Sequence, residues 1–470
     1  MATTKFWEII SRGESGTPLT EKEFDMNLFK VTKKVVKKYG IKYDPENLVC
    51  TDEEMIDNTF RAALELLLTT GVFNVDSGRV IRITEDEIFD ALHRSPASIL
   101  LGSGKDQVNL RHRNIEDSLL PTVIGGCGNP VDDDIRYKIY LAYASNPWVD
   151  YIEPLPPYKY RGMLVKAGTP FEIQACLDNI SLWRKACLDA GCPGTPIKGK
   201  DGVSAIADIA TNREDIGYRK TDHYNVYFRP QLKTNYDNLC RIAHYVQYGA
   251  YVSMTGNGYV GGFCGGIEGA VVNSVAEQLA APVIYNSVIG GSCVMETLNP
   301  IQTNRQCLWG TNLASAAMNK HTHIPGAWAS YMATAGPCTD MALYEIAAAT
   351  IGTTVMGNNC FGVATNQGVT PNYCTPMESQ MMGEVAYAAT KIDRKQANEL
   401  TLQLVEKYEE RLLAGTQPKG KTFQELYDLD TLEPCQEYVE LHDKIWEELE
   451  AMGLAPYRHP RIAMDPAGLE

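Results

Sequence analysis

The 470-residue chain lacks the features that mark several large classes of protein. It has no window of about 18 apolar residues, so nothing in it is expected to span a bilayer. Its first twelve residues include Phe6, Trp7, Ile9 and Ile10 but no extended apolar region, so a secretory signal is not expected. Basic residues cluster no further than Lys33-Lys34 and Lys37-Lys38, against a net charge of −15 and a pI near 5.1, which argues against a nucleic-acid footprint. The thirteen cysteines are an odd count without a C-x-x-C pair, which excludes an obvious disulfide framework and suits a reducing cytosol. There is no P-loop and no G-x-S-x-G. The remaining composition is ordinarily globular, 44% hydrophobic and 21% charged with 39 glycines. The expectation is a soluble cytoplasmic protein, either two or three modest domains or one large α/β barrel with appended elements.

Three helices are predicted in the first 120 residues. One opens at Thr20-Glu21-Lys22-Glu23 and closes at Lys37, Lys38 and Gly40; a second runs from Thr51-Asp52-Glu53-Glu54 to Gly71; a third begins at Thr84 with capping-box spacing to Glu87, after strand-like Val80 to Ile83. From about residue 121 the rhythm becomes strand, Gly-rich loop, helix. Residues 122–126 and 149–154 read as strands, and 132–143 and 169–190 as the helices after them. Later strands are expected at 251–255, 283–289, 325–333 and 353–357, with helices at 266–280, 304–320, 338–351 and 377–391. Roughly eight such units over about 280 residues suit a (β/α)8 TIM barrel better than a doubly wound sheet. The predicted division is N-terminal helical elements (1–120), an α/β barrel (121–415) and a C-terminal helical extension (416–470) whose apolar residues pack against it.

Within this frame Gly191-Cys192-Pro193-Gly194-Thr195-Pro196-Ile197-Lys198-Gly199 stands out, because a helix ending at Gly191 is followed by a strand that delivers Lys198 to a loop edge. Gly256-x-Gly258-x-x-Gly261 matches a dinucleotide fingerprint, but the acidic residue at the required distance, Glu277, falls inside a predicted helix, which favours a tight barrel loop. His321-x-His323 has no third ligand at a recognised spacing, so no metal site is expected. His223, beside Asp222, is a candidate general acid or a hydrogen-bonded structural histidine. Tyr224, Tyr227, Phe228, Tyr259, Phe263, Trp328 and Tyr331 supply ordinary barrel packing or, in part, a cage for a methylated ammonium.

Several longer strings carry a family resemblance. These are Thr334-Ala335-Gly336-Pro337-Cys338-Thr339-Asp340-Met341, Met377-Glu378-Ser379-Gln380-Met381-Met382-Gly383-Glu384-Val385-Ala386, Gly265-Gly266-Ile267-Glu268, Ile242-Ala243-His244-Tyr245, Gly102-x-Gly104-Lys105-Asp106-x-Val108-Asn109 and Gly420-Lys421-Thr422-Phe423-Gln424-Glu425. Across nearly its whole length the chain resembles the monomethylamine:corrinoid methyltransferases. The resemblance implies a TIM barrel, a homo-oligomer (hexameric in the family), and methyl transfer from a small methylated substrate to Co(I) of a cognate corrinoid protein. No cofactor is then bound permanently, since the partner supplies the corrinoid.

The same resemblance places Lys198 where the family carries pyrrolysine. The family's glutamate near that ring falls on Thr255, and its glutamine and tyrosine on a later strand fall on Ser330 and Met332. These four positions are the expected catalytic set. Substrate contacts are expected from His223, Tyr224, Arg229, Tyr259, Trp328 and Tyr331, and a corrin-facing rim from Gly258, Gly261 and Gly262. Attack of Co(I) on a methyl carbon requires the amine to leave neutral. A quaternary ammonium meets that condition and needs only positioning, whereas the resemblance implies that the family's imine captures and orients a primary amine. With plain lysine at 198, the donor is expected to be quaternary or betaine-like, its carboxylate paired with Lys198 or Arg229. Other readings stay open: Lys198 as a solvated loop residue, the monomethylamine enzyme itself with pyrrolysine written as lysine, and a catalytically silent ligand-binding barrel.

Overall fold

The structure is a computed structural model that describes residues 2–126, 128–154, 157–199, 202–297, 300–327, 332–457 and 459. The N-terminal helices form where their caps predict. Thr20 and Thr84 each close a capping box, with Glu23 and Glu87 respectively, and Gly40 ends the helix Glu21–Tyr39 in the left-handed conformation. The region is less uniformly helical than its sequence suggests. Val72–Asn74 pairs with Arg79–Ile81, and Ser98–Leu101 pairs with Val108–Arg111, both antiparallel. The second hairpin buries Ile99, Leu101, Val108 and Leu110 and leaves the alternate residues exposed, a period of two too short to stand out in sequence. Those four residues join Ile124, Tyr151, Ile289, Cys293, Ala327 and Phe361 in a small apolar core of their own.

Parallel pairing organises the rest of the chain. Val123–Gly126 pairs with Tyr151–Glu153, and Ile152 bridges to Ile197 just before Lys198–Gly199. Lys198–Gly199 pairs with His223–Asn225, which pairs with Tyr251–Ser253. Ser253 bridges to Ile289, and the register continues unbroken as Gly256–Val260 pairs with Ser292–Glu296. Gly290 bridges to Gly326, Ala327 to Asn359 and Met332 to Ala364, and Cys360–Phe361 returns to Val123 and Ile124. Along these strands one set of side chains enters the large core shared with the helices, as Ile152, Ile197, Tyr224, Val252 and Val294 do. The alternate set includes Tyr151, Cys293 and Phe361 of the smaller core.

The helical layer is Pro170–Asp189, Tyr236–Tyr248, Ile267–Ile284, Arg305–His321, Asp340–Val355 and Pro376–Ala389. Two expected strands are overturned here. Residues 283–284 and 353–355 finish helices, and the strands begin later, at Ser292 and Cys360. Val283, Ile284, Thr353, Thr354 and Val355 are β-branched and read as strand, but both helices are buried on nearly every side and so lack the polar stripe that reveals a helical period. At the C-terminus Arg394–Ala414, Phe423–Leu426 and Gln436–Ala451 pack back on the helical layer through Phe423, Leu426, Tyr438 and Ile445. No helix among the described residues is long and apolar enough to cross a membrane.

Candidate active site

Lys198 is buried, 1% exposed, rather than a solvated loop residue. It lies on a strand whose preceding residue, Ile197, faces the helices, so alternation turns Lys198 the other way. There Nζ donates to Oε2 of Glu153 on the neighbouring strand at 3.1 Å and stands 3.4 Å from the centroid of the Phe361 ring. Burial holds the Lys198 pKa below the ordinary lysine value, and the Glu153 carboxylate opposes that shift. A carboxylate and an aromatic face on one ammonium nitrogen are the two groups that recognise alkylammonium cations.

His223 pairs in register with Lys198 on the next strand. Its Nδ1 lies 2.8 Å from the Tyr151 hydroxyl, and its Nε2, buried, has no hydrogen-bond partner among the described residues. Burial, then the charge of Lys198, holds its pKa well below the usual value, so the imidazole is neutral. Burial also raises Tyr151 well above the ordinary phenol, so that hydroxyl keeps its proton and can donate to Nδ1. Asp222 does not serve His223. It pairs with Arg184 and accepts from the Ile197 amide at 3.0 Å, pinning the strand that carries Lys198.

Tyr227, two residues beyond Asn225, is partly buried, and burial, then the nearby Glu153 carboxylate, holds its phenol pKa well above the usual value. On the following strand Met254 enters the outer core, and a side chain at Gly256 or Gly258 would meet the backbone of Ile267–Ile284 at Ser274 or Ala270. Thr255, Asn257 and Tyr259 therefore alternate to the side of the ring that holds Lys198. Thr255 is buried there and Tyr259 partly so. Met332 is partly buried at the bridge to Ala364, its amide donating to Gln302 at 3.1 Å. Trp328, Ser330 and Tyr331 lie outside the described residues.

Several expected roles move. Tyr224 faces the helices, with its ring 4.7 Å from Tyr245 and 5.7 Å from Tyr218, because it alternates with inward His223 and Asn225. Arg229 is exposed in the turn bridged to Lys233. Gly258 belongs to strand–helix packing, since a Cβ there would stand 2.6 Å from the Ala270 oxygen. At Gly262 a Cβ would meet Gln231 at 2.5 Å, whereas Gly261 is exposed at φ 85 with only Thr297 within 4 Å. Of the three rim glycines, Gly261 alone is open.

The dinucleotide reading fails on Glu277, whose buried carboxylate accepts from the amides of Leu232 and Asn257 and from Asn273 at 2.9–3.1 Å. His321 and His323 part company, one to Asp57 and the other to the Ser95 carbonyl. Among the described residues no group of three or more His, Cys, Asp or Glu is placed to hold a metal ion. Sequence reasoning missed Glu153 and Phe361. The signal for Glu153 was present: a lone acid closing the strand Tyr151-Ile152-Glu153, on the same parity as Tyr151.

Known proteins align with this arrangement over nearly its whole length. The family model described as monomethylamine methyltransferase MtmB matches residues 4–454. Monomethylamine methyltransferase MtmB1 of Methanosarcina barkeri is 32% identical over 460 residues, covering 95% of this chain and 98% of that protein. The MtmB of Methanosarcina mazei has the same identity and coverage. The crystal structure of the Methanosarcina barkeri enzyme superposes with a TM-score of 0.91 at 30% identity, over 96% of this chain and 98% of that one. A structure described as the hydroxylamine MtmB complex gives the same values. The chain belongs to the monomethylamine methyltransferase MtmB family of methyltransferase enzymes.

Proposed function

We propose that this protein moves a methyl group from a small methylated ammonium donor, quaternary or betaine-like rather than monomethylamine, to the cobalt of a corrinoid carried by a separate protein. The run of parallel pairings from residue 123 round to Phe361 supports reading the ring as a (β/α)8 barrel that works at the C-terminal ends of its strands. The observation that carries the reading is the Lys198 ammonium held between Glu153 and the Phe361 face, since those groups suit an alkylammonium nitrogen. Glu153 also widens the range of donors. The lysine charge already has a carboxylate, so a carboxylate on the donor is no longer needed to offset it, and purely cationic donors become admissible beside zwitterions. The chain's own residues then position the donor: Tyr227 and Tyr259 as wall, neutral His223 with a free ring N–H as hydrogen-bond donor, and Gly261 at an open rim for the partner's corrin. A substrate screen that follows methylation of a reduced corrinoid protein by its visible spectrum tests this. Turnover of a quaternary or betaine donor supports it, and silence with every methylated amine favours a ligand-binding barrel.

A second reading rests on the relatives, which carry the name monomethylamine methyltransferase. If residue 198 is pyrrolysine in the native protein, monomethylamine is the donor. The mass of the peptide spanning residue 198 separates the two.

A further inference from the structure

The helix Pro170–Asp189 ends in a Schellman turn that brings two cysteines together. Gly191 is left-handed at φ 78, its amide donates to Leu188 O at 3.0 Å, and the Cys192 amide donates to Cys187 O at 2.8 Å. This pair of bonds sets the side chains at the two ends of the turn in contact, a place where apolar residues usually meet. Here the two side chains are both thiols, and that of Cys192 donates to the Ala144 carbonyl at 3.8 Å. Both line a cavity of about 340 Å³ with Tyr143, Asp150, Trp183 and Thr195. Asp150 and Thr195 precede Glu153 and Lys198 along their strands, so the two thiols lie toward the strand entrances of this cavity, which Tyr151, the partner of His223, also lines.

We propose that Cys187 and Cys192 form a reactive dithiol site, which two-electron oxidants of the peroxide class close to a disulfide and which a trivalent arsenical bridges. Cys192 is the partly exposed member and Cys187 the buried one. The neighbouring Cys187 thiol holds the Cys192 pKa below the usual thiol value, against its burial, while Cys192 and then burial push the Cys187 thiol up. Lys105 assists the thiolate and Asp106 opposes it. The Cys192 thiolate attacks a peroxide oxygen, the O–O bond breaks, and the departing hydroxide takes up a proton to become water. The Cys187 sulfur then attacks the resulting sulfenic acid, the S–O bond breaks, and water leaves with the Cys187 proton. Two thiols lose two electrons, and one peroxide becomes two waters.

Trypsin releases Ala186 to Lys198 as one peptide that holds both cysteines and no other lysine or arginine before its end. The reduced full-length protein is treated with graded hydrogen peroxide, then unfolded, alkylated and digested. The expected result is that this peptide turns lighter by two hydrogen atoms and resists alkylation at roughly tenfold lower peroxide than modifies buried Cys307 or Cys360. Phenylarsine oxide is expected to add once to this peptide in the wild type and not at all in Cys187→Ser or Cys192→Ser. If Cys187→Ser fails to fold, Cys192→Ser at the more exposed position decides the matter. Full alkylation of both cysteines at that peroxide dose, or equal arsenical uptake by the wild type and Cys192→Ser, overturns the proposal.

Discussion

Lys198 and Glu153 join two adjacent strands through a 3.1 Å ion pair in which the lysine is 1% and the carboxylate 18% exposed. Removing one partner strands the other away from water. Glu153→Gln is expected to destabilise the fold by on the order of 3 kcal/mol in denaturant unfolding. The double variant Lys198→Met/Glu153→Gln should recover most of that loss, because no buried charge is then left unpaired. Equal stability of Glu153→Gln and the wild type would show that the pair does not form.

The cation site itself is open to chemical rescue. Lys198→Ala leaves Glu153 and the Phe361 face around a space the size of a small ammonium. Millimolar methylammonium is expected to raise the melting temperature of Lys198→Ala and to leave the wild type unmoved. Phe361→Leu in the Lys198→Ala background should weaken that effect by about 0.5–2 kcal/mol. No rescue by any alkylammonium would remove the cation-recognition role of these two residues.

Stability should depend on pH through His223 and Glu277 in opposite directions. His223 is neutral in the fold, with its pKa well below the usual range, whereas the unfolded chain takes up that proton near pH 6.5. Below about pH 6.5 the unfolded state therefore binds more protons, and stability falls with acid at up to about 1.4 kcal/mol per pH unit. Glu277 is pushed up to about 7 by burial, so between an unfolded value of about 4.3 and 7 the folded state binds more protons and stability falls as pH rises. Denaturant titrations across pH should show His223→Gln flattening the acid limb and Glu277→Gln flattening the limb between about pH 4.3 and 7. Parallel curves for a variant and the wild type would refute its assignment.

The glycines of the 256–262 segment separate folding from rim effects. Gly258→Val drives a side chain into the Ala270 carbonyl and is expected to impair folding outright. Gly261→Ala meets nothing closer than Thr297 at 3.9 Å but adopts φ 85, and should cost roughly 1 kcal/mol while leaving a folded protein. Circular dichroism melts of the two variants decide this. A stably folded Gly258→Val would place that residue elsewhere than against the helix.

How much was legible in the sequence follows from which forces were local. The helix starts at Thr20 and Thr84 and the helix end at Gly191 are encoded within four or five residues, and they appear where they were read. The helix ends at 283–284 and 353–355 were missed because burial on every side erases the helical period and leaves β-branched residues to suggest a strand. At the site, Lys198 was found from its segment, but its burial, Glu153 and Phe361 depend on pairings between distant strands. Strand parity alone would have separated inward His223 from outward Tyr224, and inward Tyr259 from Gly258, had the strand boundaries been known.

The most direct test uses one preparation of the protein. The mass of the peptide spanning residue 198 is measured, and the same protein is then mixed with a reduced corrinoid protein and either a quaternary or betaine donor or monomethylamine, while the cobalt spectrum is followed. The expected result is an unmodified Lys198, methyl–cobalt formation with a quaternary or betaine donor, and little with monomethylamine. A heavier, acylated residue 198, or robust turnover of monomethylamine by protein carrying plain lysine there, would contradict it.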